Sequence, residues 1–138
     1  MANGTIAFDT LSTSGQISGT AKSVDTDYVV NGSAKAWAEI AIGGASLPNS
    51  FNFSSIDDDG TGEYGLNYTN AMASANYSAN MTVTYNHISS SSAASLIFVE
   101  SKATSSLETD SGYTSSGGLF VSNDIETNIS ATVQGDLA

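Results

Sequence analysis

A chain of 138 residues that is 40% hydrophobic has the length and apolar content for one domain with a single core, yet only 12% of it is charged, about half of what globular domains usually carry. Fourteen acidic residues against three lysines (Lys22, Lys35, Lys102) and no arginine leave a formal net charge of −11. That balance excludes a nucleic-acid binder, which needs cations to displace phosphate counterions, and it excludes adsorption to an anionic membrane. It leaves a neutral or basic partner, such as a glycan or another protein. With no cysteine there is neither a disulfide nor a thiolate metal site, and no cofactor is implied.

Ser, Thr, Asn and Gly fill the polar positions, the composition of a β protein with wet sheet faces. Residues 1–23 are small and polar, with apolar anchors only at Ile6, Phe8, Leu11 and Ile17. Gly4, Gly15 and Gly19 break any long element, so an extended docking arm is predicted, its four anchors meeting a neighbouring chain. No basic segment followed by an apolar run marks a secretory signal, and no apolar run approaches the ~20 residues of a membrane span, so a soluble protein is expected.

A β domain is predicted over residues 24–138. Residues 24–30 lead into Asn31-Gly32, a tight-turn dipeptide. Ala34, Ala36, Ala38 and Ile40 then alternate with Lys35, Trp37 and Glu39, which predicts a strand over a short helix. Gly43-Gly44 closes this piece before residues 50–85, the organising stretch, expected as an antiparallel meander. Phe51 and Phe53 lead into the acidic turn at residues 57–62. Tyr64, Leu66 and Tyr68 follow, and then Tyr77, Ala79, Met81, Val83 and Tyr85, each set alternating with polar residues.

Beyond His87 and a serine run, Leu96-Ile97-Phe98-Val99 is predicted as a strand covered on both faces. Residues 105–118 read as a long polar loop, and Leu119-Phe120-Val121 as a return to the core. Ile125, Thr127, Ile129, Ala131 and Val133 form a last alternating strand. Many short strands with turns between them predict an all-β fold, an antiparallel β-sandwich or open barrel with a jelly-roll-like arrangement among the options. The expected core includes Phe51, Phe53, Leu66, Met81 and Phe98.

Three strings resemble a β module of tailed-phage virion proteins. They are Asn31-Gly32-Ser33-Ala34-Lys35-Ala36-Trp37, then Asn49-Ser50-Phe51-Asn52-Phe53-Ser54-Ser55-Ile56-Asp57-Asp58-Asp59-Gly60-Thr61-Gly62-Glu63-Tyr64, then Thr69-Asn70-Ala71-Met72-Ala73-Ser74-Ala75-Asn76-Tyr77. The module is found in tail-fibre-like and other virion proteins, especially of marine and cyanobacterial phages. The likeness covers residues 28–85 and brings no catalytic residues with it. It implies a structural virion protein assembled in the host cytoplasm, a homo-oligomer and by analogy with fibres a homotrimer. Such a protein docks on other virion proteins as capsid decoration, a cement protein or a short fibre. The alternative it implies is a tail-fibre tip for host attachment through surface glycans.

Candidate chemistry is sparse. Asp57, Asp59 and Glu63 crowd one turn as weak calcium candidates, but Gly60 falls at the fourth position where an EF-hand loop needs glycine at the sixth, so a solvated hairpin turn is the expectation. His87 is the single histidine and no Gly-x-Ser-x-Gly elbow accompanies it, so no catalytic residues are expected. A polysaccharide-degrading enzyme using two carboxylates is the remote alternative. Trp37 faces away from the alanines of its strand; it covers an inter-subunit core or offers a platform for a sugar ring, with packing preferred. Tyr113, amid serines, is the candidate for an exposed contact.

Overall fold

A computed structural model describes residues 16–18, 23–41, 46–83, 95–115, 117–123 and 128–138, with side chains from residue 28 onward. These residues fall into two compact units divided between Ser33 and Ala34. In the first, β1 (Gln16–Ser18) pairs antiparallel with β2 (Ser23–Asp25), and α1 (Thr26–Gly32) follows directly. Most of the expected arm, including Ile6, Phe8 and Leu11, lies outside the described residues, while Ile17 stands opposite Val24 in β1. Asn31-Gly32 is not a hairpin turn; it forms the last two residues of α1. Glycine suits the end of a helix, so the dipeptide serves here as a helix stop and not as a hairpin turn.

The second unit is a sandwich of two antiparallel sheets. Sheet I has the order β4 (Ser46–Phe51), β3 (Ala36–Ala41), β11 (Asn128–Gln134), β7 (Ser78–Val83). In sheet II, β5 (Phe53–Gly60) pairs with β6 (Glu63–Tyr68), which pairs with β9 (Ser106–Thr114). The far end of β9 carries β10 (Phe120–Ser122), and β8 (Ser95–Lys102) pairs along β9 as well. No helix among the described residues is long and apolar enough to cross a membrane.

The period-two patterns explain the core. Ala36, Ala38 and Ile40 stand opposite Val133, Ala131 and Ile129, and all six are buried. Across the sandwich, Tyr64, Leu66 and Tyr68 of β6 and Leu107 of β9 complete the cluster with Phe53. Small alanines on sheet I thus balance large aromatic rings on sheet II, as interdigitating layers require. Phe53 and Tyr68 stack at 4.9 Å, and Tyr77 meets Tyr68 edge-on at 5.8 Å. Burial pushes the Tyr68 phenol well above its ordinary range, and it raises Tyr77 as well. The Tyr77 hydroxyl donates toward the carbonyls of Ser106 (2.9 Å) and Ala103 (3.2 Å), stitching the chain ahead of β7 to the β8–β9 turn.

Four further expectations change. The meander over residues 50–85 is split between sheets: β5 and β6 pair in sheet II, but β7 joins sheet I beside β11. Residues 69–77 make that crossing, held by the Met72 amide on the Thr104 carbonyl (2.8 Å) and the Ala73 amide on the Asp136 carbonyl (2.8 Å), with Met72 buried as a plug. Leu96 to Val99 does not form a doubly covered strand. In β8, Ile97 and Val99 pack on the core while Phe98, which alternates with them onto the outer face of sheet II, is 47% exposed. Residues 105–118 are not a loop; most of them are β9, in which buried Thr109 and Ser111 donate to the carbonyls of Tyr64 (3.1 Å) and Gly62 (3.2 Å). Leu119 and Val121 stay exposed, since Phe120 lies over Gly112 and meets Phe98 edge-on at 4.9 Å instead of entering the core.

Candidate functional site

Phe51 is the most consequential departure from the alternating pattern. The sequence runs Phe51-Asn52-Phe53, which an uninterrupted strand would place with both rings on one face. Asn52 instead takes φ 60°, a left-handed conformation that asparagine tolerates better than most residues. Its side chain fixes the corner: the Asn70 amide donates to Asn52 Oδ1 (2.7 Å), and Asn52 Nδ2 donates to the Asn70 carbonyl (3.0 Å). The chain therefore ends β4 in sheet I and starts β5 in sheet II. Phe53 goes into the core, whereas Phe51 is left 52% exposed on the outer face of sheet I.

There it stands opposite Trp37, itself 43% exposed. The strand registers extend this pair into a row across four strands, Phe51–Trp37–Thr132–Asn80. A second row runs parallel to it, Asn49–Glu39–Ser130–Thr82. Glu39 accepts from Asn49 Nδ2 (3.3 Å) and from Asn128 Nδ2 (3.0 Å), so both carboxylate oxygens are engaged by amides. Trp37, Glu39, Asn49, Ser130 and Thr132 line an open groove of about 490 Å³. One aromatic wall, hydroxyls, amides and a single carboxylate make up its chemistry, and no lining residue is cationic.

The outer face of sheet II is acidic, although it too carries an exposed aromatic residue, Phe98, opposite Asp110. Its registers align Asp57 with Gly65 and Gly65 with Glu108, and place Glu63 beside Asp110. The Asp59 and Glu108 carboxylates both approach the bare backbone of Gly65. The calcium candidates do not form a ligand cage. Asp57 accepts from Asn67 Nδ2 (2.7 Å), the Glu63 carboxylate lies against Gly60, and Gly60 and Gly62 take φ 153° and 82° in a tight turn. Among the described residues no group of three or more His, Cys, Asp or Glu is arranged to hold a metal ion. Asp110 is partnered on one oxygen by the Ser122 hydroxyl (3.1 Å), and its Oδ1 is buried without a hydrogen-bond partner.

Of the other candidates, Tyr113 lies half-buried within β9, opposite Ser95 and Val121, not on a loop. His87 falls outside the described residues. Trp37 faces outward as its alternation predicts. Phe51, its partner in the face, was hidden by the same alternation, and Asn52 was the one signal that the alternation breaks there. Comparison of the chain with family models, curated proteins and solved structures finds no match.

Proposed function

We propose that this chain is a non-enzymatic structural protein of a tailed-phage virion, a small multi-copy surface component that works by contact. The observation that carries the reading is the unequal charge of the two sheet faces. On sheet I the aromatic row sits among neutral hydroxyls and amides, with Glu39 as the one acid in the two central rows. Sheet II collects Asp57, Asp59, Glu63, Glu108 and Asp110. In a chain of net charge −11, copies repel through their acidic faces, so sheet I is the surface on which a partner is desolvated at least cost. The resemblance over residues 28–85 supplies the virion setting, and homotrimeric assembly would multiply weak contacts by avidity.

Two placements follow from this reading, capsid decoration and a short fibre or tip. The exposed Trp37–Phe51 pair beside the shallow groove favours the second, because it leaves a contact surface open on the outer face of sheet I. Hydrolysis is disfavoured by the same groove. Its single carboxylate is held by two amides, where glycoside hydrolysis ordinarily needs a pair of carboxyl groups roughly 5–10 Å apart.

The test is reconstitution. Purified protein is added to virions that lack it, alongside a variant without residues 2–19. Full-length protein is expected to bind in tens of copies per particle, and the shortened one to keep its circular dichroism and fail to bind. Failure of the full-length protein to bind any virion component overturns the proposal.

A further inference from the structure

We propose that the groove on the outer face of sheet I is a subsite for a neutral polysaccharide, with the Trp37 ring as the stacking platform. This rests on reading sheet I as the contact face. An indole presents a flat, electron-rich surface, and the C–H-bearing face of a hexose ring presents the complementary weakly positive hydrogens. Glu39, Asn49, Ser130 and Thr132 stand beside the ring and offer the mix of acceptors and donors that vicinal sugar hydroxyls need. Glu39 accepts from Asn49 and Asn128 at the surface, which biases the polar wall toward this arrangement before a ligand arrives.

Size and charge select the occupant. Four strands of about six residues give a face of about 400 Å², using ~4.8 Å between strands and ~3.4 Å per residue. A standard protein interface buries roughly 800 Å² of accessible surface on each partner, so this footprint is compact for a dimer face and ample for a short saccharide. The depression is shallow and open to solvent, so it would meet the face of one or two sugar rings and not enclose a ligand. Anionic saccharides are disfavoured twice, by Glu39 in the groove and by the net charge of −11. The Phe51 ring, opposite Trp37 on the next strand, extends the platform toward a neighbouring sugar.

Trp37 is the chain's single tryptophan, so its emission reports this face and nothing else. The protein is titrated with neutral hexasaccharides of β-glucose, β-galactose and β-mannose, and with an alginate hexasaccharide as the anionic control. Binding is checked by affinity electrophoresis in gels containing the parent polysaccharides. Saturable change in Trp37 emission is expected with at least one neutral probe and not with alginate. Trp37→Ala should weaken retardation at least tenfold, Trp37→Phe should restore part of it, and Thr132→Ala should weaken it a few-fold, with thermal midpoints held near wild type.

No response to any neutral probe, or retardation unchanged in Trp37→Ala, overturns the proposal. A fall in oligomer mass on Trp37→Ala also overturns it, since the face is then an interface between copies. Virion binding separates the two readings. Protein that joins virions without binding saccharide refutes only this inference, whereas protein that binds saccharide but joins no virion refutes the virion reading.

Discussion

Gly62→Ala is expected to destabilise the sandwich by about 3 kcal/mol or more, although the added methyl is the smallest side chain available. Gly62 takes φ 82°, a conformation that costs an L-residue roughly 1–2 kcal/mol by itself. The larger part is steric. An added Cβ lands on the Ser111 carbonyl oxygen and within 2.9 Å of the Asn123 amide nitrogen, both of them backbone atoms that cannot swing aside. Those atoms are the seam of sheet II. The Ser111 amide donates to the Gly62 carbonyl (2.8 Å), and the Asn123 amide donates to the Ser111 carbonyl (2.9 Å), at the point where β9 passes from β6 to β10. Separating them breaks hydrogen bonds that are buried in part. For a unit of this size the thermal midpoint should fall by about 12 °C or more. A loss of under about 1 kcal/mol would show that the turn can repack.

Leu66→Ala is the second large effect, expected at about 2–5 kcal/mol. Leu66 is fully buried at the centre of sheet II, opposite Ile56 on one side and Leu107 on the other. The backbone of a paired central strand holds the cavity open, so collapse recovers little of the lost contact. Phe51→Ala removes a bigger side chain, yet it should cost under about 1 kcal/mol because the ring is half in water already. Urea denaturation of both variants makes the comparison. Equal losses would mean that Phe51 is in the core, as its place in the alternating pattern implies, and the outer aromatic row would not exist.

That contrast also marks where the sequence was legible. Side-chain direction along a single strand was readable wherever the period of two ran unbroken, as in Ala36–Ala41, Glu63–Tyr68 and Asn128–Gln134. These strands give most of the core and place Trp37 outward. Sheet membership was not readable, because alternation says which face a residue takes but not which sheet its strand joins. Residues 69–77 look like a small-residue link, and only their hydrogen bonds to Thr104 and Asp136 show that they cross the sandwich. The burial of β9 was concealed by composition, since Thr109 and Ser111 are polar core residues whose hydroxyls are satisfied by backbone carbonyls. The candidate face was half visible: Trp37 stood out, while Phe51 and the polar row around Glu39 depend on registers across four strands.

Hydroxyl-radical footprinting of intact virions, with and without isolated host envelope, tests the central claim most directly. Trp37 and Phe51 should oxidise readily in free virions and become protected when envelope is added, while Phe98 on sheet II stays equally reactive in both. Protection of Phe98 with Trp37 unchanged, or Trp37 already protected in the free virion, would contradict the assignment of sheet I as the outward adhesive face.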